Sequence, residues 1–477
     1  MNKYLIKVDI SGIQKFIFDI PSKGASKQLK ARSFYVYALT HIILKMMQDN
    51  MGTDNVEEIY NGGGNLFAFV TSEKEALKDF REKLESMNFL GVLFPFMSYV
   101  QIAENFKDSM RKLNKEVLKT KLQRNFNKEP FELRKNIDWD GFISDLTNSN
   151  GFSVKRINPK NNQISLGEYS LVFEGDNLKN KIHNKLPKEM DEKGRYKVVD
   201  FDAIAKKAAE ADADEKLGIL KMDVDNLGML FRDRELHEYK RLSQALEKFF
   251  SEDLYQKVLI NRIDNQELYP VFAGGDDLFF IGSWHIMMDV AKEIKDAFST
   301  FQEGLNLEKT LTLSAGIIIA KPKHPMIRLA DEAEDALELA KKYRPEKNSI
   351  CVFGQPIGWE EFETCIEIKN KLYELIVEKG ESKAILQRIK SSDLGFRSLQ
   401  DRALDRNKID FPKVYRLKYY LRNTKSEENR QILGEIFDNY AKDLLNDFLK
   451  KDKSSKSNPA KYVIAARWTE LLIKNIK

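Results

Sequence analysis

Two glycine clusters set the terms on which this chain can fold. Gly62-Gly63-Gly64-Asn65 runs into Leu66-Phe67, and Gly274-Gly275-Asp276-Asp277 runs into Leu278-Phe279. Each cluster stands between apolar runs, which reads as a β-hairpin with the glycines at its turn. Each is preceded by an apolar strand that carries an acid: Asp9 in segment 4–10 and Asp223 in segment 217–224. Asp9 lies 55 residues before Gly64, and Asp223 lies 53 before Asp276. The chain therefore contains two copies of one β–α–α–β-hairpin–α–β unit. Each copy is a ferredoxin-like palm of domain size, roughly 100–150 residues.

The second copy has the cleaner periodicity. Leu242, Ala245, Leu246, Phe249 and Phe250 fall on one helical face before its hairpin. A helix over 284–298, a buried strand over 311–319 and a helix over 325–343 follow. Between the copies the pattern changes. Segment 107–135 carries ten Lys/Arg against four Asp/Glu, a net of +6, and 148–162 is rich in Asn and Gly. From 361 onward the chain reads as amphipathic helices with a polar break at 450–457. The fold class is thus α+β. It comprises a first palm at 1–103, an inserted middle domain at 104–210, a second palm at 211–360 and an all-helical C-terminal domain at 361–477.

Composition narrows the function classes. A net charge of +5 permits nucleic-acid contact without requiring it. The basic run 107–135 reads either as a solvated helix face or as a contact for nucleic acid or protein. The two cysteines, Cys351 and Cys365, make neither a disulfide framework nor a four-cysteine zinc site, which points to a reduced, cytoplasmic setting. No run of eighteen uncharged apolar residues exists, so no transmembrane helix and no membrane partner is expected. The opening residues read as a strand and not as a signal peptide. None of the five histidines is followed by Asp, which leaves no HD-type phosphohydrolase motif.

The acids carry the chemistry. Strand ends that bring carboxylates together are how palm-type cyclases and polymerases hold two divalent cations. Asp223, Asp276 and Asp277 supply the hard oxygens that Mg²⁺ or Mn²⁺ takes, with substrate phosphates completing the shell. The bland alternative is a glycine turn with solvated acids. Asp225 reads as a further ligand or as the N-cap of a helix starting at Asn226. Lys341, and Lys347 beyond it, stand where a lysine reaches triphosphate oxygens, or are solvated near a helix end. The first copy has kept its glycines and lost the paired acids. The first copy therefore reads as a nucleotide cradle without its own metals. Ser11, at the end of the first strand, and Ser22, before the following helix, are further candidates for phosphate.

Together these residues resemble a known family. Asp9-Ile10-Ser11-Gly12-Ile13-Gln14-Lys15-Phe16, Ala31-Arg32-Ser33-Phe34-Tyr35, Gly62-Gly63-Gly64-Asn65, Met222-Asp223-Val224-Asp225-Asn226-Leu227-Gly228, Gly274-Gly275-Asp276-Asp277-Leu278 and Leu313-Ser314-Ala315-Gly316 follow in order. They look like the Csm-type large subunit of type III CRISPR effector complexes. The resemblance implies ATP as substrate, made into cyclic oligoadenylates when a guide RNA pairs with target RNA, with Gly63, Gly64 and Asn65 lining the nucleotide site of the first palm and Gly274 and Gly275 that of the second. It also implies partners: backbone, guide-end-capping and small subunits, and the two RNAs. Family members commonly open with an HD nuclease domain; here the first palm opens the chain, so that activity is expected to be absent. They also commonly carry a zinc site in the middle domain, and 104–210 contains no cysteine. Some relatives join AMP to S-adenosylmethionine, which leaves that product open. A diguanylate cyclase is a second enzyme reading, against which stands Asp277-Leu278 where Glu-Phe is expected. A nucleotide-binding scaffold without turnover is the non-enzymatic one.

Overall fold

The computed structural model describes residues 1–21, 24–87, 92–102, 105–124, 138–157, 164–190, 196–232, 234–307, 309–392, 415–449 and 458–476. Ser22, the far end of the basic run 107–135 and the polar break at 450–457 lie outside these residues. The strands are β1 (Asn2–Ser11), β2 (Val56–Gly62), β3 (Asn65–Ser72), β4 (Phe94–Gln101), β5 (Ser153–Arg156), β6 (Ser165–Leu166), β7 (Tyr169–Val172), β8 (Lys188–Met190), β9 (Tyr196–Val198), β10 (Leu217–Val224), β11 (Leu268–Gly274), β12 (Asp277–Ser283), β13 (Leu313–Ala320), β14 (Ser349–Val352) and β15 (Gln355–Gly358). Both copies of the repeat fold as palms in the expected element order. Two helix ends differ from the sequence reading. The helix after the second hairpin runs Trp284–Gly304, and the one after β13 is Met326–Tyr343. Buried Phe298 ends the apolar stripe, but nothing after it stops the helix before Gly304.

The chain divides into two compact units. The first comprises Met1–Asp200, Asn226–Phe280 and His324–Ala330. Its antiparallel sheet has the order β2-β3-β1-β4, with Asp9 opposite Asn65 on one side and Phe96 on the other. Alternation along β1 buries Tyr4, Ile6, Val8 and Ile10 on one face. The helix Ala25–Met51 packs on β2 and β3, and Lys74–Ser86 packs on β4 through Leu77, Phe80 and Leu84. The other face is closed by Leu5, Phe67 and Phe69 against Phe106, Met110 and Leu113 of the helix Phe106–Arg124. The small sheets β5-β7-β6 and β8-β9 and the helix Trp139–Asn148 belong to this unit, and Phe34 packs against Phe142, Phe152 and Phe173. Lys30 is buried within Ala25–Met51. Its amine donates to the carbonyls of Ile182 (3.1 Å) and Pro270 (3.0 Å), and burial lowers its pKa to about 7.

The second unit comprises Phe201–Asp225, Ile281–Lys323 and Asp331–Lys477. Here β10 runs antiparallel to β13 with Asp223 opposite Ser314, β13 parallel to β14, and β14 antiparallel to β15. Gly316 of β13 lies against helix backbone: a Cβ there would stand 2.4 Å from Leu337 N and 2.9 Å from Ala333 O. The C-terminal part is helical from Trp359 to Leu472 among the described residues. It is stitched to the sheet by polar contacts. The Trp359 indole donates to Leu313 O (2.7 Å). The buried Glu361 carboxylate accepts from Arg344 Nη2 (2.7 Å), Gly358 N (2.8 Å) and Asn458 N (2.7 Å). Cys351 and Cys365 are buried free thiols, and burial pushes Cys351 up to about 12. Among the described residues no helix is long and apolar enough to cross a membrane.

Candidate active site

The two glycine clusters are hairpin turns, and they correspond position by position. In the first, Gly62 ends β2, Gly63 (φ 56) and Gly64 (φ 76) make the turn, and Asn65 starts β3. Two consecutive positive φ angles match the twist of a hairpin and favour glycine at both places. In the second, Gly274 ends β11, Gly275 (φ 68) and Asp276 make the turn, and Asp277 starts β12. Asp276 thus replaces Gly64, and Asp277 replaces Asn65. Asp276 is exposed and Asp277 half-buried.

The strand acids show a second correspondence. Asp223, next to last in β10, holds Lys341 Nζ at 2.7 Å. Burial acts to lower the Lys341 amine, but the hydrogen bond and charge of Asp223 outweigh it, and its pKa rises. In the first palm, Asp9 holds Lys121 Nζ at 2.9 Å. Both lysines sit in the last turn of the helix that follows the fourth strand of their palm. The sequence reading singled out Lys341 and missed Lys121, which is hidden within a basic run.

Asp225 is a correction. Its buried carboxylate accepts from the hydroxyls of Thr312 (2.8 Å) and Ser314 (2.8 Å) and from Asn348 N (3.0 Å), and not from the first turn of the helix Leu227–Arg232. It braces the loop after β10 and caps no helix. Lys347 has φ 61 and, among the described residues, makes no ion pair; its carbonyl accepts from Ser349 Oγ. Ser11 ends β1 opposite Phe94.

Beneath the turns lies a polar cluster that the sequence did not announce. Glu247 Oε2 accepts from Gly275 N at 3.4 Å, and Glu247 Oε1 lies 3.7 Å from His183 Nε2. Burial works to raise Glu247, but His183 and the Gly275 amide outweigh it, so its pKa falls. The His183 ring stacks on Tyr37 at 4.2 Å, and burial lowers its pKa. Beside Tyr239, whose phenol feels the Asp276 charge, opens a cavity of about 720 Å³. Phe67 and Tyr239 give it aromatic walls, and Arg111, Lys115 and Arg232 give it positive charge. Aromatic faces suit a base, and cations suit phosphates. Among the described residues no three His, Cys, Asp or Glu side chains form a ready metal cage.

Known proteins decide the family. Residues 216–351 match the family described as "Cas10/Cmr2, second palm domain", and residues 2–138 match "Csm1 subunit domain B". A Cas10/Csm1 protein (subtype III-A) of Methanocaldococcus jannaschii, named a CRISPR system single-strand-specific deoxyribonuclease, is 26% identical over 518 residues, covering 82% of this chain and 64% of the relative. One of the same name from Streptococcus thermophilus is 29% identical over 412 residues, covering 73% of this chain and 53% of the relative. The chain belongs to the Cas10/Csm1 family. It spans 64% and 53% of the lengths of these two Cas10/Csm1 relatives. A solved Csm1–Csm4 cassette in complex with cA4 has the same fold, with a TM-score of 0.71 at 17% identity, covering 99% of this chain and 70% of the solved one. Asp223, the Gly274–Asp277 turn and Lys341 fall inside the stretch matched to the Cas10 second palm, and Asp9, the Gly63-Gly64 turn and Lys121 inside the stretch matched to Csm1 domain B.

Proposed function

We propose that this chain is an ATP-dependent nucleotidyltransferase that makes cyclic oligoadenylates in a cytoplasmic type III CRISPR complex. The observation that carries the reading is the paired architecture. Two matched glycine turns are present, one acid-bearing and one acid-free, and each palm sets a lysine on its strand acid. Asp223, Asp276 and Asp277 would hold two Mg²⁺ or Mn²⁺ ions, with 211–360 as the metal-bearing palm and 1–103 as the cradle. When bound, such ions activate an attacking hydroxyl and stabilise a leaving pyrophosphate. The chain's own residues bind and orient. Lys341 exchanges the Asp223 carboxylate for triphosphate oxygens as nucleotide arrives. Gly63, Gly64 and Asn65 admit the second ATP close to backbone, with Gly274 and Gly275 flanking the first. Arg111, Lys115 and Arg232 draw in phosphate. The 3′-hydroxyl oxygen of one ATP bonds to the α-phosphorus of the other as its proton passes to water, the bond from the α-phosphorus to the bridging oxygen breaks, and pyrophosphate departs. Effector subunits, guide RNA and target RNA are the partners in this reading, with 104–210 and 361–477 available to them.

The test is mass spectrometry of products from the chain and its target-RNA-loaded complex with ATP and Mg²⁺, with and without S-adenosylmethionine. Cyclic oligoadenylates are expected. An AMP–S-adenosylmethionine conjugate changes the acceptor and keeps the site. No product from a demonstrably RNA-loaded complex overturns the reading in favour of a scaffold.

A further inference from the structure

The two hairpin turns share a floor. The Tyr60 ring rises from β2, and a Cβ placed on Gly62 would lie 2.9 Å from its hydroxyl; one placed on Gly275 would lie 2.8 Å from the same atom. Glu247 Oε2 would be 3.6 Å from a Cβ on Gly62 and 3.5 Å from one on Gly274, and it accepts from Gly275 N. Behind it, His183 meets the other carboxylate oxygen and is fixed by stacking on Tyr37. One phenol and one carboxylate therefore touch the acid-free turn and the acid-bearing turn at once. We infer that Tyr60 and Glu247 are positioning residues that set the distance between the nucleotide cradle and the aspartate turn. Neither projects from a turn itself, so they act through Gly62 and Gly275. The inference rests on the nucleotidyltransferase reading.

The full chain and its target-RNA-loaded complex test it, with Tyr60→Phe, Glu247→Gln, Gly62→Ala and the double variant Gly62→Ala/Tyr60→Phe. Product formation is followed at steady state, and Mn²⁺ affinity by electron paramagnetic resonance. Tyr60→Phe and Glu247→Gln preserve shape, so a thermal melt that matches the parent separates positioning from folding. Supporting groups around metal ligands typically carry about 10- to 100-fold in metal affinity or activity. The expected result is a loss of that size in kcat with KM for ATP little changed, and weaker Mn²⁺ binding in Glu247→Gln. The double variant should be no worse than Gly62→Ala alone, because removing the hydroxyl removes the clash. Unchanged kcat in both shape-preserving variants, or losses that multiply in the double variant, overturns the inference. If the parent complex makes no product, the functional reading fails by itself. Mn²⁺ affinity then decides: a loss in Glu247→Gln supports the shared floor, and no change overturns it.

Discussion

The amine of Lys121 lies 2.9 Å from the carboxylate of Asp9, and this pair stands in the first palm where Lys341 and Asp223, 2.7 Å apart, stand in the second. Both palms thus carry a lysine–acid pair, although only the second carries acids at its turn. In the second palm the strand acid is charge-paired with its lysine in the same way. In the first, no turn acid joins Asp9, and Asp9 keeps its lysine.

Lys341→Ala should lower kcat/KM for ATP by about 10- to 100-fold, the worth of a hydrogen bond to a charged group. Lys121→Ala should act mainly on KM. Steady-state titration with ATP separates the two, and equal effects on kcat would contradict the asymmetry between the palms.

Asp276→Ala with Asp277→Ala should remove product formation by at least ~10³-fold, since metal-held charge stabilisation is worth several kcal/mol. Asp276 is exposed at a turn, so the melting temperature should barely move. Loss of cooperative melting would reassign these acids to folding.

Asp225→Ala should destabilise by about 3 kcal/mol, because it strands two hydroxyls and an amide around a buried gap. Denaturant unfolding checks this. Asp225→Asn should recover part of the loss, since its carbonyl oxygen can still accept.

Gly316→Ala should cost about 1–3 kcal/mol, the usual price of overpacking, because the new methyl meets helix backbone that cannot rotate away. The same helix carries Lys341, so KM for ATP should rise in parallel.

Lys30 gives the fold a pH signature. Its folded pKa is lowered to about 7 from 10.5 by burial. Between those values the unfolded chain holds the extra proton, so stability rises with pH, by up to ~1.4 kcal/mol per unit. Below about 7 this contribution is flat. Lys30→Met should make that slope shallower, leaving what the half-buried lysines Lys7, Lys185 and Lys188 contribute, which denaturant midpoints across that window would reveal.

The palms were legible because their signals are local. A glycine pair between apolar runs specifies a turn whatever surrounds it, and for the same reason Asp223 and Asp277 stand at strand ends with Asp276 in the turn. Asp225 was misread because its partners Thr312, Ser314 and Asn348 are brought to it only by β13 and the loop before β14. Tyr60 and Glu247 gave no signal at all. One is an aromatic in a strand and the other an acid on an amphipathic helix, and only the tertiary fold puts them under two glycines. Lys121 was masked by its neighbours, because a basic run looks alike at every position.

The stitching of Trp359 to Leu313 and of Glu361 to Arg344 and Asn458 bears on how this protein can be shortened. A catalytic fragment ending near residue 360 keeps every acid and glycine of the site. It also cuts away the carboxylate that Arg344 needs, just past the last turn of the helix that presents Lys341. Such a minimal enzyme should still bind cations while mishandling triphosphate, which makes the helical tail part of the reaction's scaffold and a poor place for a domain boundary in engineering.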